Sequence, residues 1–202
     1  AYKLYIMANL FYLSKGQRDL IDRVVKRNNA VVLWIYAPGY LDDRSASLEN
    51  MRALTGIQFG IADVRAELDV DLSTFDHPLT RGLPAGMKYG TGVGRDMYLR
   101  PPKIQYMPET VVGPAFFADD PQAEVLGLAR STSKPGLVIK EFDAWRSIYS
   151  AAPVLSWELM RNIARYAGVH LYSQQGDMVW ANRAFLGVSS QAAGIHRFHF
   201  PR

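Results

Sequence analysis

Two carboxylates two residues apart, Glu141 and Asp143, are the pair in this chain best spaced for acid–base work. At a strand end such residues project to one face, and carboxylates held at a suitable separation can cleave glycosidic bonds. Neighbouring carboxylates on an exposed strand serve equally well as salt-bridge partners. Trp145 and Tyr149 follow closely and could stack on the face of a sugar. So could Tyr36 and Tyr40, placed where α/β sheets gather ligands, at the carboxyl end of a strand. Filling a core or a subunit contact is the other role open to these aromatics. His77, in a loop ahead of Pro78, completes a candidate ligand-binding set of Tyr36, Tyr40, His77, Trp145 and Tyr149.

Other chemistries lack their residues. The chain has no cysteine, which removes disulfides, thiolate metal sites and thiol nucleophiles. Its four histidines are scattered. His196 and His199 stand three apart in an expected strand and would face opposite sides, and His170 reads as a core residue of an apolar strand. No metal or cofactor is expected. The run Gly90-Thr-Gly-Val-Gly-Arg95 lacks the strand and helix that flank a phosphate loop. No G-x-S-x-G elbow occurs.

The elements that must position these groups are legible from patterning. Tyr2–Ala8 and Ala30–Tyr36 are apolar strands, the second continuous enough to be covered on both faces. Between them Ser14 and Gln17 fit a capping box, and Leu20, Ile21, Val24 and Val25 make the apolar face of a helix. Strand, helix and buried strand form a right-handed βαβ unit. A second helix is expected over Ser47–Thr55 with Gly56 ending it, and the best amphipathic helix follows Ser156 and stops at Gly168. From Arg81 to Thr110 five glycines and four prolines predict a long loop. Strands are expected at Val111–Phe117, Glu124–Arg130, Leu137–Phe142, Val169–Tyr172, Met178–Ala181, Phe185–Val188 and His196–Phe200. The expected fold is therefore α/β, a mostly parallel sheet flanked by helices with a small antiparallel patch. Asp119-Asp120 before Pro121 reads as a turn.

Composition narrows the partners. A net charge of +4 with Asp19 and Asp22 interleaved among the basic residues of 15–27 describes a solvated helix face, so no nucleic acid is expected. The longest clear apolar run, Ala30–Ala37, is of strand length, so no membrane is expected. No signal peptide is apparent, and a cytoplasmic location is the expectation.

Strand-helix-strand leading into Val31-Val-Leu-Trp-Ile-Tyr-Ala-Pro-Gly39, followed by the loop His77-Pro-Leu-Thr-Arg-Gly-Leu83, resembles the class I glutamine amidotransferase-like superfamily. More narrowly, Gly113–Pro121, Glu141–Pro153 and Leu159–Tyr172 are similar to the β-galactosidase trimerisation-like domain of bacterial glycoside hydrolases. The resemblance implies a flavodoxin-like sheet, usually following a TIM-barrel catalytic domain. It also implies a role in self-association or in packing beside that catalytic domain. The amidotransferase nucleophile is a cysteine just after a buried strand, and here that position reads Ala37-Pro38-Gly39, so glutamine hydrolysis by a thiol is excluded. The family fold would place further βα units ahead of Tyr2. Residues 1–202 are therefore expected to be one domain, incomplete at its N-terminus and part of a longer protein. The alternative function is a small carbohydrate-binding or carbohydrate-cleaving protein that uses Glu141 and Asp143.

Overall fold

The computed structural model describes residues 2–93, 111–190 and 192–201. Gly94, Arg95 and the remainder of the glycine- and proline-rich stretch expected as a loop lie outside the described residues.

The βαβ unit forms as the patterning requires. Strand β1 (Leu4–Met7), helix α1 (Lys15–Val24) and strand β2 (Ala30–Ile35) follow in order, with β1 and β2 parallel and Leu4 opposite Val31. The capping box closes α1: the Ser14 hydroxyl accepts from Gln17 N–H, and Ser14 N–H donates to Gln17 Oε1 at 2.9 Å. All six residues of β2 are buried. Helix α2 (Leu48–Thr55) starts at Ser47, whose hydroxyl accepts from Glu49 N–H, and ends at Gly56 with φ +73°. Arg18 joins the two helices, its guanidinium donating to Asn50 O at 2.8 Å and to Gly39 O at 2.6 Å. One member of the basic segment thus works as an internal strap.

Beyond α2 the chain departs from the expected architecture. Three short strands, β3 (Phe59–Ala62), β4 (Ala66–Glu67) and β5 (Asp69–Leu72), precede β6 (Lys88–Gly90), with no crossover helix among the described residues between them. Strands β7 (Val111–Val112) and β8 (Ala115–Ala118) pair antiparallel with β4 and β3 as two small ribbons. Strands β9 (Glu124–Ala129), β10 (Lys134–Glu141) and β11 (Trp145–Ser150) run as a meander, closed by the short connections 130–133 and 142–144. The main sheet has seven strands in the order β1-β2-β11-β10-β9-β5-β6. Only β1, β2 and β11 are mutually parallel, and every other pairing in it is antiparallel.

The expectation of a mostly parallel, flavodoxin-like sheet flanked by helices is therefore corrected to a mixed sheet. The physical reason is connection length. A parallel neighbour needs a crossover of a dozen residues or more, and connections of three or four residues permit only antiparallel return. Strand β11 carries no local strand signal, because its pattern, Trp-Arg-Ser-Ile-Tyr-Ser, mixes polar and apolar residues. It nevertheless lies beside β2, with Trp145 opposite Ala30 and Ser150 opposite Ile35.

Helix α3 (Trp157–Tyr166) is capped by the Ser156 hydroxyl, which accepts from Leu159 N–H at 3.2 Å, and Gly168 follows at φ +70°. Successive strand residues face opposite sides, so β11 shows how the helices are distributed. Ser147 Oγ donates to Thr55 O of α2 at 2.7 Å, while the Arg146 guanidinium lies 5.5 Å from the Tyr166 ring of α3. The helices α2 and α3 therefore cover opposite faces.

The C-terminal part contains the hairpin of β12 (Met178–Ala181) and β13 (Leu186–Ser189). The strands expected at Val169–Tyr172 and His196–Phe200 do not form. Met178, Trp180, Phe185, Ile195 and Phe200 are exposed there. No helix among the described residues is long and apolar enough to cross a membrane.

Candidate functional site

The carboxyl end of β2 is where a parallel α/β sheet would gather a ligand. The backbone there is strained: Tyr36 sits at φ +64°, a left-handed conformation uncommon for a bulky side chain. Three hydrogen bonds hold it. Tyr36 N–H donates to Ser150 O, Tyr36 O accepts from the Tyr149 hydroxyl, and the Tyr36 hydroxyl donates to Pro114 O, each at 2.8 Å. Its ring lies edge-on to Phe11 at 5.9 Å and to Phe116 at 5.4 Å, and Tyr40 meets Phe116 at 4.9 Å. Four aromatic rings thus fill the strand end.

The phenols here are donors rather than bases. Burial raises the Tyr36 hydroxyl above its ordinary value. Burial first, then Tyr36 and Tyr89 nearby, pushes Tyr149 well above it. Neutral phenols at physiological pH bind and orient; they do not abstract protons.

The carboxylate pair is arranged differently from the spacing argument. Glu141 ends β10 and is exposed, accepting from the Tyr166 hydroxyl at 2.8 Å, with Arg146 Nε 3.5 Å away. Asp143 lies past the strand in the exposed turn before β11, so strand alternation does not extend to it. His77 Nδ1 accepts from Leu79 N–H at 3.1 Å, and its ring lies 5.9 Å from Tyr166. Tyr166 therefore touches both His77 and Glu141. Burial and then the hydrogen bond to Glu141 push its hydroxyl up to about 12.

Trp145 turns the other way, 8% exposed and stacked on Phe142 at 4.7 Å, with Trp34 edge-on to it at 6.5 Å. Tyr149 is buried outright. Both aromatics serve the interior, while His77 and Glu141 share a surface with Tyr166. The residues singled out by sequence thus divide among the strand end, the Tyr166 surface and the core.

Two polar clusters escaped the sequence reading. Asp120 does form the expected turn, accepting from Gln122 N–H at 2.9 Å, but it is also buried. Its carboxylate accepts from Gln58 N–H at 3.0 Å and pairs with Lys140 Nζ at 2.8 Å. Burial alone would raise the Asp120 pKa; Lys140 and the two backbone donors outweigh it and hold the group below the usual carboxylate range. A spacing of twenty residues between Asp120 and Lys140 leaves no local signal.

The second cluster is Ser173, Asp177, Ser190 and His196. Ser173 Oγ donates to Asp177 Oδ2 at 2.7 Å, His196 Nδ1 lies 2.9 Å from Asp177 Oδ1, and His196 Nε2 is 2.9 Å from both Ser190 Oγ and Ala192 O. A carbonyl and a carboxylate at opposite ring nitrogens favour the doubly protonated imidazolium. Asp177 and then Ala192 O raise the His196 pKa, while Ser173 and then His196 lower that of Asp177. A serine, a histidine and an aspartate are present, yet the Nε2 beside Ser190 also faces the Ala192 carbonyl, which can only accept, so that nitrogen is a donor and not a base for the hydroxyl.

His170, expected in the core, is exposed, and its Nε2 lies 2.7 Å from His199 O. The expected strand did not form, which leaves that ring at the surface. No group of three or more His, Cys, Asp and Glu side chains among the described residues could hold a metal ion.

No family model matches this sequence, and no curated protein does. Among solved structures, the chain is similar to the β-galactosidase from Bacillus circulans sp. alkalophilus, with a TM-score of 0.59 at 17% identity, over 88% of this chain and 25% of that one. The β-galactosidase from Rahnella sp. R3 gives a TM-score of 0.59 at 12% identity, with the same 88% and 25% coverage. The chain spans about a quarter of the length of these enzymes. At such identities the likeness is one of fold.

Proposed function

We propose that this chain is a non-catalytic accessory domain of the β-galactosidase trimerisation-like kind, working by contact with a second copy or with a glycoside hydrolase catalytic domain. The observation that carries this reading is the fold likeness: 88% of the chain superimposes on a quarter of each β-galactosidase. The filled end of β2 supports it, since Phe11, Tyr36, Tyr40 and Phe116 occupy the place where such a sheet would admit a substrate. So does the C-terminal surface, where Phe185 is 77% and Phe200 is 65% exposed and both line one open cleft with Tyr172. Exposed aromatic groups clustered on one face mark an interaction surface.

Of the two partners, a second copy is the one the isolated chain itself can test, since a self-complementary face would make it associate. Sedimentation velocity over a range of concentrations tests this. A mass above the 22.7 kDa of one chain, growing with concentration, is expected. Replacing Phe185 and Phe200 with Ser should return the protein to a single-chain mass. Turnover of a nitrophenyl galactoside by the isolated chain would overturn the non-catalytic reading.

A further inference from the structure

Residues 192–201 lie along the segment 170–177 as a strap that forms no helix or strand of its own. Four uncharged ties hold it. His199 N–H donates to Tyr172 O at 2.9 Å, and His170 Nε2–H donates to His199 O at 2.7 Å. The Gln175 side chain donates to Ile195 O at 3.4 Å and accepts from Arg197 N–H at 3.3 Å. The ionic tie joins His196 Nδ1 to Asp177 Oδ1 at 2.9 Å, with the two side chains 16% and 1% exposed. Docked in this way, the strap sets Phe200 edge-on to Tyr172 at 6.3 Å, and both rings line the cleft that Phe185 shares.

Among these ties the ionic one alone responds to pH near neutrality. Amides do not titrate there, and His170 can present an N–H to His199 O whether its ring is neutral or charged. His196 is placed otherwise. Its Nδ1 faces a carboxylate and its Nε2 faces Ala192 O at 2.9 Å, and both partners can only accept. A protonated ring serves both. A neutral ring has a single N–H and turns a lone pair on one of them. Asp177 is the charged group facing His196. From α3, Arg161 and Arg165 donate to Gln174, and Arg197 follows in the strap itself.

We propose that residues 192–201 are a latch that the proton on His196 holds shut, and that its loss frees the strap and dismantles the cleft of Tyr172, Phe185 and Phe200. The sign follows from the contacts. Asp177 and then Ala192 O raise the His196 pKa, so the tie is complete below the ordinary 6.5 and is lost as pH rises through the raised folded value. Asp177, held below its ordinary 3.8, stays a carboxylate throughout that range. Little else keeps the strap down. Phe200 is 65% exposed and Ile195 86% exposed even when docked, so opening uncovers little apolar surface. The use of the latch rests on the contact-surface reading: shut, it presents the cleft, and open, it withdraws Phe200 from it.

Nuclear Overhauser contacts between the Tyr172 and Phe200 rings, followed in the full chain from about pH 5.5 to 9, test it. The shut population should fall from about 90% to about half or less, with the midpoint of the His196 ring titration. His196→Gln, which has no such proton to lose, should abolish the step. Sedimentation velocity at the same pH values should show self-association weakened at least about twofold over the same step. Ring contacts that persist through the His196 titration overturn the latch, as does a step that survives in His196→Gln. A single-chain mass at every pH, with the ring contacts still lost on the His196 midpoint, refutes the contact-surface reading and leaves the latch standing.

Discussion

Replacing Asp120 with Ala tests the buried pair that ties β10 to the turn after β8. The Asp120 side chain is fully buried and Lys140 keeps 13% of its exposure. Removing the carboxylate strands the ammonium and leaves the amides of Gln58 and Gln122 without acceptors. Stranding one member of a buried pair costs about 3–5 kcal/mol. The residual exposure of Lys140 and the surface position of both glutamines let water reach these groups, which places the cost near the lower end, about 3 kcal/mol. For a chain of this size each kcal/mol moves Tm by roughly 2–4 °C, so a fall of about 6–12 °C is expected. Urea denaturation followed by circular dichroism gives the free energy, and a thermal scan gives Tm. The double variant Asp120→Ala/Lys140→Met should recover much of the loss, because no charge remains to be desolvated. A single-variant loss below about 1 kcal/mol, or a double variant no better than the single, would refute the reasoning.

Two further perturbations follow from the same structure. Gly56 combines φ +73° with a Cβ position 2.3 Å from Phe142 Cζ, so Gly56→Ala should destabilise the fold by more than about 1 kcal/mol; a urea midpoint equal to the parent's would contradict the cap geometry. The contact between His196 and Asp177 should stabilise the C-terminal segment within a pH window. His196 has a raised pKa, so its contribution is complete below its ordinary 6.5 and is lost as pH rises through the raised folded value. Asp177 has a lowered pKa, so its contribution is present above its ordinary 3.8 and is lost as pH falls through the lowered folded value. Proton NMR of the His196 ring should give a midpoint above 6.5 that drops in Asp177→Asn. A midpoint indifferent to that substitution would show that the contact does not form in solution.

Local signals located the first third of the fold because its determinants are local. The capping box at Ser14 and Gln17, the caps Ser47 and Gly56, and the unbroken apolar run of β2 each specify their element within a few residues. The antiparallel part was underestimated for the opposite reason. Strands β3 to β6 are two to four residues long, too short for a period to emerge, and β11 carries Arg146 and Ser147 among buried residues. Ser147 is buried because it bridges Trp34 Nε1 and Thr55 O, partners distant in sequence. Of the candidate site, Tyr36 and Tyr40 are expected at the end of the second strand, which closes at Ile35, but their engagement by Phe11 and Phe116 depends on tertiary packing. Trp145 turned inward because β11 alternates with Arg146 toward α3. Asp177 and His196 meet across nineteen residues without a strand to bring them together.

The claim on which the functional account depends is that this chain works through an apolar contact surface. Sedimentation velocity of the purified chain from about 1 to 200 µM measures that most directly. Self-association that grows over this range and disappears when Phe185 and Phe200 become Ser is the expected result. A single species of 22.7 kDa at every concentration would contradict it.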